Sequence, residues 1–232
     1  GAVSMSYASI VCSQPPVAGL LPDLAQLSAV FSAIGLTEQH HVIAYDGEGG
    51  GHAGRLLWTL DALGHVGLSL LNGGIVAWQL EGGVLEKTTI SPTTNNYQAK
   101  FNNPDVIADK SYIQSRLGQA DFQALDARTP AEYLGQDVRA TRGGHIPGAV
   151  NLNWVDTIDR ENALRLKPDE QLRAMLNERG VTDDKEIVTY CHTHHRSSHS
   201  YVMLKHLGYR RIRGYHGSWS DWGNASDTPI EV

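Results

Sequence analysis

Short apolar runs, polar loops and helices stopped by glycine follow one another along this chain. His41-Val-Ile-Ala-Tyr-Asp46 is an apolar run ending on a polar residue, and Glu186-Ile-Val-Thr-Tyr-Cys191 repeats it with Cys in place of Asp. After each comes a polar loop and then a helical pattern, over 55–63 before Gly64 and over 197–207 before Gly208. Glycine just past the last apolar position is the expected left-handed terminator of a helix. Leu172, Met175 and Leu176 predict a further amphipathic helix that ends at Gly180. Short apolar runs at Ala124-Leu125, Ile187-Val188 and Ile212 alternate with these helices. Buried strands in alternation with helices predict an α/β fold whose mostly parallel sheets are covered on both faces.

The pattern occurs twice. Leu71-Asn-Gly73-Gly-Ile-Val-Ala-Trp78 lines up with Tyr215-His-Gly217-Ser-Trp-Ser-Asp-Trp222, and both the glycines and the tryptophans stand 144 positions apart. A constant offset is the mark of a duplication. The expected organisation is two doubly wound α/β domains, residues 1–88 and 106–232, joined by a linker over 89–105. The stretch from Thr88 to Pro104 is rich in Thr, Asn, Ser and Pro and has no apolar periodicity. Gly1-Ala2-Val3 matches Gly148-Ala149-Val150, but the roughly 40 residues before the second triplet, with a strand at Phe122 to Asp126, have no counterpart before the first. The first domain is therefore expected to be N-terminally truncated, with a cleaved N-terminal fragment of the same protein as a candidate partner.

Composition narrows the function. A hydrophobic share of 41% against 19% charged residues is that of a folded chain. A net charge of -6 argues against the concentrated basic face that nucleic acid requires. No apolar run approaches the roughly 20 residues of a membrane span, and Gly1 to Ser9 lacks the basic and long apolar regions of a secretory signal. The two cysteines, Cys12 and Cys191, cannot form a disulfide framework, so a reducing cytoplasm is the expected setting.

Cys191 closes an apolar strand, and the helix that follows points its N-terminus back at the thiol. Free amides and the helix dipole there favour a thiolate. His192, His194, His195 and Arg196 add positive potential or hydrogen-bond donors. The setting suits sulfur attack on an anionic substrate.

Cys191-His-Thr-His-His-Arg196 resembles the six-residue active-site loop of bacterial tandem-domain rhodaneses, the thiosulfate sulfurtransferases. Asp126-Ala-Arg128-Thr-Pro-Ala-Glu-Tyr133, Gly144-His-Ile-Pro-Gly-Ala149, Gly217-Ser-Trp-Ser-Asp-Trp222 and the degenerate first copy extend the resemblance to nearly the whole chain. It implies two rhodanese-like domains and a ping-pong reaction. Thiosulfate gives its outer sulfur to a cysteine, sulfite leaves, and cyanide or a thiol removes the sulfur. On this sequence the resemblance implies Cys191 as nucleophile and persulfide carrier. Backbone amides of His192, Thr193, His194, His195 and Arg196 would form the persulfide cradle, and Arg196 would favour the anionic donor and departing sulfite. It implies no metal and no organic cofactor. Asp126 and Arg128 are expected as a supporting ion pair, and His145, which matches a histidine of the family's motif, as a packing residue.

Rival readings leave traces in the same residues. Phosphatases of similar fold use Cys-x5-Arg, whereas four residues separate Cys191 from Arg196, giving a ring better matched to one sulfur than to a phosphoryl group. The loop also differs from the Cys-Arg-Lys-Gly-Val-Thr of vertebrate-type rhodaneses and the Cys-Gly-Ser-Gly-Val-Thr of 3-mercaptopyruvate sulfurtransferases. Glu132 stands where vertebrate-type enzymes carry a substrate-binding Arg. Thiosulfate is the expected donor; a 3-mercaptopyruvate enzyme and a noncatalytic interaction module are the alternatives. In the first copy Asp46 cannot carry a persulfide, Glu48 is expected to repel thiosulfate, and the copy is expected to be structural. Gly49-x-Gly51-x-x-Gly54 matches a dinucleotide fingerprint, but residues 65–72 lack the acid that would hold a ribose. His192, His194, His195 and His199 crowd one loop, unlike the separated ligand pairs of structural zinc. Trp78, Trp219 and Trp222 are expected to pack in the core or at its edge, and Cys12 to be an inert thiol.

Overall fold

The computed structural model describes residues 1–88 and 90–232; Thr89, the first residue of the expected linker, lies outside the described residues. In the first half the chain forms β1 (Cys12–Gln14), β2 (Val17–Leu20), α1 (Leu24–Ala33), β3 (Val42–Ala44), α2 (Gly51–Ala62), β4 (Leu68–Leu70) and α3 (Gly74–Leu80). The second half begins with β5 (Ile107–Ala108), α4 (Lys110–Arg116), β6 (Phe122–Asp126), α5 (Pro130–Tyr133) and β7 (Val150–Asn151). It continues with β8 (Ile158–Asp159), β9 (Arg165–Leu166), α6 (Asp169–Asn177), β10 (Glu186–Tyr190), α7 (Arg196–His206), β11 (Ile212–Tyr215) and α8 (Ser218–Trp222).

The second half is built on a five-stranded sheet in the order β5-β11-β10-β6-β7, every neighbouring pair parallel. All five residues of β10 are buried, as a central strand covered on both faces requires. Ile187 joins Leu125, Leu152, Leu172, Leu176 and Leu204 in one cluster; Val188 and Tyr190 join Ile113, Ile146, Trp219 and Trp222 in another. From β6 the chain moves outward to β7, and from β10 it moves the opposite way to β11. The strand order therefore reverses between β6 and β10, and such a reversal opens a crevice at the carboxyl ends of the two strands. Asp126 ends β6 there, opposite Tyr190, and Cys191 follows β10.

The first half corrects the expectation of a second doubly wound sheet. Its β3 and β4 are parallel, with Val42 opposite Leu68 and Ala44 opposite Leu70, as β10 and β11 are in the second half. No strand pairs with the other edge of β3 among the described residues, so two strands stand in place of five.

Helix α2 ties the halves together. Trp58 and Ala62 lie in the same core cluster as Leu125 and Ile187, and the Trp58 indole donates to the Val106 carbonyl at 3.0 Å. Gly54 allows this approach, because a Cβ there would stand 3.0 Å from the Ser198 and His199 backbone of α7. Asp61 of α2 accepts hydrogen bonds from the Tyr201 hydroxyl at 2.6 Å and the Asn103 amide at 2.9 Å, and pairs with Lys205. Tyr201→Phe removes a buried bond to a charged acceptor and is expected to cost about 2 kcal/mol, read as a lower urea midpoint at unchanged slope.

The expected linker is not loose. From Asn95 to Ala99 it lies along α1: the Asn95 amide donates to the Ser32 carbonyl, the Tyr97 amide to Ser32 Oγ at 2.9 Å, and the Ala99 amide to Ser28 Oγ at 2.9 Å. Ala99 is buried with Leu27 and Phe31. Main-chain amides bonded to serine hydroxyls need no apolar periodicity, which is why the segment reads as a linker in the sequence. No described helix is long and apolar enough to cross a membrane.

Candidate active site

The Cys191 loop is pinned at its entry by α8. The Cys191 amide donates to Ser218 Oγ at 3.2 Å, while the carbonyls of Cys191 and His192 accept from the Trp219 and Ser220 amides at 3.0 Å. The chain then turns through His194, whose φ of 56° is left-handed, and enters α7 at Arg196. Two bonds hold the turn: His194 Nδ1 with Ser197 Oγ at 2.7 Å, and Ser198 Oγ donating to the His195 carbonyl at 2.7 Å. The hairpin of β1 and β2 covers the loop from the first half. Gly19 there has φ of 77°, and a Cβ on it would meet the Thr193 carbonyl oxygen at 2.2 Å.

Cys191 is buried. Burial pushes the thiol up, but the Arg196 charge, the Ser197 hydroxyl and the Ser197 and Thr193 amides outweigh it, so the thiol lies below its ordinary value. Of the five residues expected around the sulfur, Arg196 through its charge and Thr193 through its amide contribute to that lowering. Ser197, one residue beyond the expected loop, is the donor that sequence reasoning missed; a hydroxyl in the first turn of the helix is its only trace.

Arg196 is not free to grip a donor. Its Nη1 and Nη2 donate to the two Glu132 carboxylate oxygens at 2.6 and 2.8 Å. Glu132 is itself buried and completes a capping box with Thr129 at the start of α5. Burial raises the Glu132 carboxyl, but its bonds to Arg196 and Thr129 prevail and hold it at about 2. Arg196 therefore acts on Cys191 through its charge, while its hydrogen-bonding face is given to Glu132.

The three imidazoles of the loop also divide. Burial, and then the Arg196 charge, push His192 down; burial and the Arg55 charge push His194 well below its ordinary range, so neither supplies a cation. His195 goes the other way. Burial opposes its charge, but a 2.5 Å bond to Glu48 Oε1 raises it. Glu48 also lies 3.2 Å from His52 Nδ1, so it is a partnered carboxylate rather than the repelling charge expected from the sequence. The histidines weighed as metal ligands do not converge. Among the described residues the ligand atoms that come together are those of Glu48, His52 and His195, within 4.8 Å.

Asp126 and Arg128 form the expected ion pair, buried, at 2.6 Å, with Arg128 also donating to the Gly144 carbonyl and lying 4.4 Å over the Trp219 ring. His145 stacks on Tyr133 at 3.7 Å and bonds its carbonyl through Nδ1. Trp219 and Trp222 are core residues, and Trp78 is an exposed edge residue. Cys12 donates to the Leu21 carbonyl at 3.2 Å, and burial raises its thiol despite the nearby Arg55.

In the first half an aspartate sits within a ring of amides. Asp46 Oδ1 accepts from the Glu48, Gly49 and Gly50 amides at 3.0, 3.1 and 2.9 Å, and Oδ2 from the Ala53 amide at 2.9 Å. These bonds let α2 begin at Gly51, four residues before its apolar pattern. They also occupy the donors a dinucleotide phosphate would need.

Residues 109–225 match the rhodanese-like domain family. Thiosulfate sulfurtransferases of Pseudomonas aeruginosa and Azotobacter vinelandii are each 44% identical to this chain over 219 residues, covering 94% of it and 80% of their own length. The anaerobic ergothioneine biosynthesis enzyme of Chlorobium limicola, solved with trimethyl histidine, shares the fold with a TM-score of 0.88 at 20% identity, over 100% of this chain and 60% of that one. A cysteine at a strand-to-helix corner, at the switch point of a parallel sheet, in a sequence with these relatives defines the class: the chain belongs to the rhodanese family. It is a sulfurtransferase.

Proposed function

We propose that this enzyme is a thiosulfate sulfurtransferase that carries sulfane sulfur as a persulfide on Cys191. The observation that carries the reading is the buried Cys191 at the strand-to-helix corner, whose thiol is pushed down toward the thiolate, against its burial, by the Arg196 charge, the Ser197 hydroxyl and the Ser197 and Thr193 amides. The thiolate attacks the outer sulfur of thiosulfate, a new S–S bond forms, and the old one breaks with its electron pair leaving on sulfite. Cyanide or a thiolate then takes the terminal sulfur and returns Cys191 to the thiolate. Charge balances in each step, and no metal or organic cofactor takes part. Treating the protein with thiosulfate is expected to add one sulfur to the peptide containing Cys191, and cyanide to remove it. Mass spectrometry that finds the sulfur on Cys12, or on neither cysteine, rejects the mechanism.

Three features favour thiosulfate over 3-mercaptopyruvate or a noncatalytic role. Four residues stand between Cys191 and Arg196, a spacing suited to one sulfur, His195 is raised toward its charged form by Glu48, and the nucleophile is intact. Two-domain organisation, 1–88 and 106–232 around a connecting segment 89–105, is supported by the repeated β3–α2–β4 and β10–α7–β11 units. Asp46, seated in its own amide ring, supports a first domain without chemistry of its own. Beside the open edge of β3 a cavity of about 600 Å³ is lined by Val3, Met5, Ile43 and Tyr45. Two unpaired cysteines suit a cytoplasmic setting.

A further inference from the structure

Arg55 of α2 has no exposed surface, yet its Nε and Nη1 have no hydrogen-bond partner. Its Nη2 donates to the Leu20 carbonyl at 3.2 Å, and no carboxylate pairs with it among the described residues. A buried charge in that condition is costly unless an anion completes it. The Tyr7 hydroxyl is likewise buried without a partner.

Both side chains flank the Cys191 loop from the first half. The Tyr7 ring lies 5.4 Å from His195, and the Arg55 guanidinium lies 5.0 Å over Trp58, which in turn lies 4.3 Å from His194. We propose that Arg55 and Tyr7 form an oxyanion subsite beside Cys191, which binds the sulfonate end of thiosulfate and then the departing sulfite. The inference rests on thiosulfate as donor and reverses the expectation that the first copy is only structural.

The charges agree with this arrangement. Burial pushes Arg55 down to about 10, against the Tyr7, Cys191 and Cys12 charges that support it, so it is still a cation at neutral pH. Burial raises Tyr7 to about 12, so it donates as a neutral hydroxyl. Because Arg196 is held by Glu132, Arg55 is the buried guanidinium with donors to spare. Two free guanidinium donors and a hydroxyl suit a tetrahedral oxyanion, which the single sulfur of the persulfide cannot engage in full.

Calorimetric titration of thiosulfate into Cys191→Ser protein measures this subsite without turnover. Adding Arg55→Met is expected to weaken binding about 10- to 100-fold, the loss of charge-assisted hydrogen bonds. Arg55→Lys is expected to fall between the two, and Tyr7→Phe to weaken binding about fivefold. In the active enzyme the same changes raise KM for thiosulfate and the inhibition constant of sulfite together, which a merely structural residue would not do. Unchanged thiosulfate affinity in a folded Arg55→Met protein overturns the subsite. If that variant does not fold, unchanged affinity in Tyr7→Phe overturns it instead. A persulfide found away from Cys191 would defeat the proposed reaction but leave this binding measurement standing, so the two failures are distinct.

Discussion

Cys191→Ser protein is expected to fold normally and to lose thiosulfate-to-cyanide transfer by at least about a thousandfold, the scale of removing a covalent nucleophile. The substitution exchanges one buried atom for a smaller one and leaves the amide ring, the His194–Ser197 bond and the α8 contacts in place. The chemistry does not survive it. The electrostatics that lower a thiol toward its thiolate do not ionise an aliphatic hydroxyl, and an oxygen cannot store sulfane sulfur as a persulfide does. Steady-state assay beside a urea titration checks both halves of the expectation, and turnover at the native rate would sink the mechanism.

Glu132→Gln is expected to cost about 3–5 kcal/mol of stability, because it leaves the half-buried Arg196 without its counter-charge. Acid titration isolates the same pair. The Glu132 carboxyl is depressed from an ordinary 4.5 to about 2, so its stabilisation is fully present above pH 4.5 and is lost as the pH falls through about 2. The shift corresponds to about 3 kcal/mol. Urea midpoints of the native protein should fall steeply between those pH values. Those of the Gln variant should start lower and fall less over the same interval, and parallel curves would show that the pair does not govern acid stability.

The corner at Cys191 is legible because strand, nucleophile and helix are contiguous, and local order fixes them. The likeness of β3–α2–β4 to β10–α7–β11 is legible because Gly73 and Gly217, and Trp78 and Trp222, stand at one offset. Pairings made across the fold are another matter. Glu132 and Arg196 stand 64 positions apart and Glu48 and His195 stand 147 apart, so nothing local says that one carboxylate takes the guanidinium and the other an imidazole. Asp46 can be read as a lost nucleophile, but its four amide bonds appear only once the loop is folded around it. Arg55 was hidden for a different reason: within a helix of Gly, Ala, Leu and Trp a lone arginine reads as the solvent-facing position, and here it points inward.

Helix α2 has a consequence for how the molecule is made. The ribosome releases it well before α7, yet Trp58, Ala62 and Asp61 reach their final neighbours only when Tyr201, Leu204 and Lys205 have emerged. Until then the early portion of the chain holds an indole and an arginine it cannot bury. The part translated first is completed last, and the polypeptide matures as one body rather than as beads on a string.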